Sequence, residues 1–139
     1  MEKRAITWLK VGFMAGAVVD ALALLPMLIP WAAKIFWGFT GFSGMYYFAQ
    51  GMGASLMLGW TLLLLWAYHK PLERRYAALL TLIVVAGMGI TDVVGASKGY
   101  IDIAKLVPSL VMLPVWLILF GYGFYISGKA LKKAAINQK

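Results

Sequence analysis

The sequence predicts an all-α integral membrane protein: one polytopic domain, residues 1–139, folded as a four-transmembrane-helix bundle with both termini on the cytoplasmic side (N-in/C-in). Three observations carry this prediction. Hydrophobic residues make up 63% of the chain and charged residues only 13%, whereas a soluble domain is roughly 45–50% apolar and about 25% charged. Four separate apolar runs each have the length of a bilayer-crossing helix. The basic residues concentrate in alternate connections between those runs.

Crossing a hydrocarbon core of about 30 Å takes roughly 20 apolar helical residues. Residues 9–31, 45–68, 76–97 and 106–127 satisfy that length. None shows the alternation expected of a barrel strand, and a backbone in lipid must satisfy its own hydrogen bonds, so all four are expected to be helices. Lys3 and Arg4 ahead of an apolar stretch, with Ala21-Leu22-Ala23 following, imitate a signal peptide. The apolar run continues through Leu24-Leu25-Pro26-Met27-Leu28-Ile29, so the first helix reads as retained rather than cleaved.

Charge gives the orientation. The N-terminal flank, the 69–75 connection and the C-terminal tail hold Lys3, Arg4, Lys10, Lys70, Arg74, Arg75, Lys129, Lys132, Lys133 and Lys139. The other two connections hold only Lys34, Lys98 and Lys105. This asymmetry places the first group in the cytoplasm and the protein in a plasma (inner) membrane as a multi-pass chain. The net charge of +8 is thus a signature of orientation, with no nucleic-acid partner implied. Lys70, Arg74 and Arg75 are candidates to meet anionic lipid headgroups. Trp8, Trp31, Trp66, Tyr68, Tyr76, Tyr122 and Tyr125 read as interfacial anchors.

The connections have their own signals. In 31–44, Gly38, Gly41 and Gly44 are expected to break regular helix within an apolar segment that lies in the outer interface or folds back as a lid. Lys98, Asp102 and Lys105 have the spacing of a charged turn. Pro71 and Glu73 suit the first turn of the third span, making 69–75 a tight hinge between antiparallel neighbours. No internal repeat is convincing.

The chain has no cysteine and a single histidine, His69. That removes disulfides, thiolate catalysis, iron–sulfur clusters, bis-histidine haem ligation and structural zinc. No metal site or other cofactor is expected. The methionines are not clustered as a copper path would need, and retinal attachment needs a buried lysine whereas every lysine here falls at or outside a helix end.

Two carboxylates stand out. Asp20 lies near the middle of its span, roughly 16 Å from either end at 1.5 Å per residue. An ionised carboxylate there costs at least roughly 2.5–3.5 kcal/mol, so it must be protonated, paired, hydrated in a cavity or hydrogen-bonded to another helix. Gly12 and Gly16 lie on its face and allow a second helix to approach closely, inside the bundle or at a dimer seam. Asp92 sits nearer the outer end of its span, roughly 9 Å higher if both helices are straight. Gly95 and Gly99 form a second small-residue pair, and Gly51, Ser55 and Gly59 a third stripe. Gln50 is the expected hydrogen-bond partner of Asp92. Pro26 and Pro114 are the expected kinks, Pro114 by releasing the carbonyl of Leu110.

The functional expectation is a polar site of Asp20, Asp92, Gln50, Ser55 and Thr91 open to the outside, serving a proton- or cation-linked transporter or channel subunit. The alternative is a non-catalytic membrane subunit or lipid/hydrophobe-binding module in which the aspartates specify helix packing. An enzyme is not expected, since no nucleophile, base and oxyanion donors come together. The lipid bilayer is the implied partner, together with a second copy or another membrane subunit at the glycine stripes.

Overall fold

Apolar side chains gain little by leaving lipid for protein, so membrane-type helices associate where small residues let their backbones meet. The computed structural model, which describes residues 2–39 and 41–137, follows that rule in its first helix. In α1 (Glu2–Leu28), Ala5, Leu9, Phe13 and Ala17 recur at four-residue steps and are almost fully buried, with Gly12 and Gly16 beside them. α1 is the central helix: α3 (Gly44–His69) packs on one side and α5 (Ile103–Asn137) on the other. α4 (Tyr76–Ser97) packs on the far side of α5. All four are long and apolar enough to cross a membrane.

Several boundaries differ from the sequence reading. The first span does not run to Trp31. Ile29 is extended (φ −118°, ψ 110°) because the following proline disfavours helix there. Pro30 then opens a short helix, α2 (Pro30–Trp37), where its missing N–H costs nothing. Much of the segment expected to be irregular is therefore helical, and its Ala32 and Ala33 are buried. Gly38 ends α2 at φ 72°, its N–H bonded to the Lys34 carbonyl. The fourth span is also longer than 106–127: α5 has 35 residues, about 52 Å of helix. Lys139 lies outside the described residues.

The 70–75 connection is a turn, and α4 starts at Tyr76, so Pro71 and Glu73 precede the helix rather than opening it. Glu73 pairs instead with Lys70 at 3.2 Å, both side chains exposed. α3 and α4 are joined tightly yet touch little along their length. Trp60 Nε1 donates to Thr81 Oγ1 (3.3 Å) as one of their few links. The expected antiparallel neighbours thus diverge from their hinge.

At the other end, Gly99 (φ 69°) closes α4: its N–H bonds to the Ala96 carbonyl (3.1 Å) and that of Tyr100 to the Gly95 carbonyl (2.9 Å). This pattern needs a left-handed residue, so Gly99 serves a turn and not helix packing. The Lys98–Asp102–Lys105 cluster does not form. Asp102 instead accepts from the Ala104 N–H (3.0 Å) and caps α5.

Helix packing separates the glycines that the sequence grouped. A Cβ on Gly16 would lie 2.9 Å from Leu64 and 3.1 Å from Phe120, and one on Gly12 3.5 Å from Leu119 and Phe120. These two close the bundle. Gly51 and Gly59 face open space and Gly95 meets only Ile101 from the following turn, so none of the three seats another helix within the chain. Gly89 and Gly123, to which the sequence reading gave no packing role, do: added Cβ atoms would lie 2.8 Å from Leu113 and 3.0 Å from Trp8. Trp8, expected as an interfacial anchor, ties α1 to α5: its Nε1 donates to the Leu119 carbonyl (2.8 Å) and its ring meets Tyr122 edge-on. Pro26 and Pro114 both lie within continuous helices.

Gly16→Leu is expected to lower stability by about 1–3 kcal/mol through overpacking, measured by denaturation in mixed detergent micelles. Gly59→Leu should change it by less than about 0.5 kcal/mol. Equal losses at both positions would show that the two glycines play the same part.

Candidate functional site

α5 forms the floor of a trough whose walls, α1 and α4, scarcely touch each other. Toward the termini the trough is filled by the core of Leu9, Phe13, Ala17, Leu64 and Phe120, capped by Ala77 and Ala78 from α4. Past Gly16 the filling stops. An inner cavity of about 330 Å³ follows, lined among others by Gly16, Asp20, Thr81, Met88, Trp116 and Phe120. Beyond it lies an outer cavity of about 650 Å³, lined by residues that include Trp37, Gln50, Thr91, Asp92 and Lys105. Met88, Pro108 and Ser109 line both, so the two spaces adjoin.

Helical geometry places Asp20 where it is. Gly12, Gly16 and Asp20 are four residues apart and share a face. The first two press against α3 and α5, and the third arrives one turn later, where that packing ends. Asp20 is half-buried, and among the described residues no hydrogen bond or ion pair engages its carboxylate. Asp92, also half-buried, is held differently: Ser109 Oγ donates to its Oδ2 at 2.5 Å, linking α4 to α5.

The remaining expected site residues separate. Thr91 lines the outer cavity with its hydroxyl bonded back to the Gly87 carbonyl (3.0 Å). Gln50 lines the same cavity, but Ser109 occupies the place foreseen for it beside Asp92. Ser55 does not belong to the site. It is exposed and bonded to the Gly51 carbonyl (2.9 Å), on a face of α3 that lines neither cavity. Ser109, Pro108 and Lys105 were missed. Ser109 had one signal, being the first hydroxyl in the 106–127 run, directly after a proline.

The basic trio of the 70–75 turn also disperses. Lys70 pairs with Glu73. Arg74 lies over the Trp66 ring, 3.7 Å from its centre, and donates to the Trp66 carbonyl. Arg75 turns to α5, near the Tyr76 and Phe124 rings, and lines a separate cavity with Lys129 and Lys132. Among the described residues no group of three or more histidine or acidic side chains is placed to hold a metal ion.

A double-mutant cycle between Asp92→Ala and Ser109→Ala is expected to give a coupling of about 0.6 kcal/mol, the usual size for such bonds between membrane helices. The cycle between Asp92→Ala and Gln50→Ala should give none. The reverse pattern would restore Gln50 as the partner. Comparison with known proteins yields no match: no family model, curated protein or solved structure aligns significantly with this chain.

Proposed function

We propose that the protein is a multi-pass plasma-membrane protein, N-in/C-in, that acts as a proton- or cation-linked transporter or channel subunit through Asp20 and Asp92. One observation carries the reading. Two carboxylates from different helices line two cavities that share a wall, and one of them has no partner among the described residues. Retaining unpaired charge at mid-helix depth is costly, and intramembrane carboxylates commonly mark ion and proton paths.

Insertion in lipid is supported by what faces outward. Leu56, Ile83, Ile90 and Ile118 are each between 63% and 75% exposed, an apolar surface far beyond the isolated patches of a water-soluble monomer. Orientation rests on the basic residues at the end that bears the termini. The open stripe of Gly51, Ser55 and Gly59 supports a homo-oligomer or a partner membrane subunit. Arg75 with Lys129 and Lys132, in place of the 70–75 trio, is the proposed contact for anionic lipid.

The second reading is a non-catalytic lipid- or hydrophobe-binding module. The largely apolar lining of both cavities favours it.

Two measurements test the proposal. In proteoliposomes the wild-type protein should carry a pH-dependent cation or proton flux, and Asp20→Asn should abolish it without altering the folded mass. Flux that is the same in both proteins, or no flux across a panel of cations, favours the second reading. The chain has no cysteine, so single cysteines report sidedness directly. Lys132→Cys should react with an impermeant thiol reagent only from the cytoplasmic face and Lys98→Cys only from the opposite face. The opposite result would invert the topology.

A further inference from the structure

The proposed carboxylate function leaves the substrate class open, and the chemistry of the two cavities narrows it. Their volumes fall in the range of roughly 300–1,000 Å³ typical of small-molecule sites. Among the described residues Asp20 is the sole ionisable one lining the inner cavity. The outer cavity has Asp92 and one cation, Lys105. The stem of Lys105 rests against the end of α2, since a Cβ on Gly38 would lie 3.4 Å from its Cγ and Cε. Among the described residues no basic side chain therefore lines the space around Asp20.

A bare metal cation suits this space poorly. Hard cations take about six or more oxygen ligands, whereas the inner cavity offers the Asp20 carboxylate and little else. Its one hydroxyl outside the shared wall, Thr81 Oγ1, already donates to the Ala77 carbonyl (2.8 Å) and accepts from Trp60. An anion in the inner cavity would meet the Asp20 carboxylate with no cation among the described residues lining that space. A purely apolar occupant would leave Asp20 desolvated and unpaired, at a free-energy cost. What remains is a positive charge carried on apolar bulk. Trp116 and Phe120, stacked with ring centres 6.1 Å apart, both line the inner cavity, and aromatic faces attract cations.

The trough also has an entrance suited to such a molecule. α4 makes only slight contact with α1 and α3. Val19, Met88 and Met112 line the inner cavity yet remain 44%, 50% and 42% exposed. The open side faces the surroundings of the bundle, which in a bilayer is lipid.

We infer that the joined cavities bind a lipophilic organic monocation, admitted from the lipid through the gap between α1 and α4, with its charge against Asp20 and its bulk among Trp116, Phe120 and Met88. This rests on the carboxylate reading above and names the substrate class of the same site.

The test uses the full-length protein in nanodiscs with tetraphenylphosphonium as probe and its near-isosteric anion, tetraphenylborate, as control. Binding to empty nanodiscs is subtracted. The wild type should bind the phosphonium at least about tenfold more tightly than the borate, a difference of about 1.4 kcal/mol. Asp20→Asn, checked for folded mass and helicity, should lose that preference, and Trp116→Ala should weaken phosphonium binding with Asp20 intact. Equal binding of the two ions by the wild type, or phosphonium binding unchanged in Asp20→Asn, overturns the inference. So does saturable binding of an inorganic cation at the site with no phosphonium binding, or a second copy that seals the trough. A flux assay on the same preparations separates this from the parent reading. Asp20-dependent flux of protons or inorganic cations without phosphonium binding leaves the transport reading and removes this one. Asp20-dependent phosphonium binding without any flux does the reverse.

Discussion

The missing side chain at Gly16 sets the geometry on which the site depends. Without a Cβ there, Leu64 and Phe120 come against the α1 backbone from two sides and draw α3 and α5 onto one central helix. Because a helix repeats its face every four residues, that contact also aims Asp20 into the trough that α5 floors between α1 and α4. The large side chains of the core stop at this level. A carboxylate that would be intolerable against lipid or sealed apolar side chains is thereby given a space to face. Packing and chemistry are consecutive turns of one helix.

The outer half of the bundle is loose for a related reason. α3 and α4 leave their shared turn in diverging directions, and α4 turns to α5, where Gly89 receives Leu113. α1 and α4 are thus held apart by the floor helix rather than by each other. α2 closes over part of the opening, its buried Ala32 and Ala33 permitting close approach, and contributes Phe36 and Trp37 to the outer cavity. Ser109 ties Asp92 to the floor, whereas Asp20 has no comparable tether among the described residues. The two carboxylates therefore differ in their surroundings: Asp92 is anchored to α5, and Asp20 is left to face the inner space.

Much of this was legible before any coordinates. The apolar runs mark the four long helices, and α4 coincides with its expected bounds because the 70–75 turn and Gly99 punctuate both ends. That Asp20 needs a partner, a proton or a cavity follows from its depth alone. The rotation of each helix was far harder to read. When a helix is apolar nearly all round, no hydrophobic stripe states which side faces the partner. Small-residue stripes look alike whether they close a bundle, as at Gly12 and Gly16, or face outward, as at Gly51 and Gly59. The pairing of Asp92 with Ser109 and not Gln50 depends on that same unreadable rotation. The helical start of 31–44 was hidden by its glycines, although Pro30 signals a new first turn.

The proposed function requires Asp20 to face a cavity that water reaches from the α2 end, and not a sealed helix contact or lipid alone. It is tested most directly by thiol accessibility in membranes, because a cysteine reacts as its thiolate and the thiolate needs water. Asp20→Cys should be modified by an impermeant cationic thiol reagent added from the face that bears α2. Ala17→Cys, buried in the core, and Val18→Cys, half-exposed on the outer face of α1, should stay inert. An Asp20→Cys protein as unreactive as those two would contradict the account.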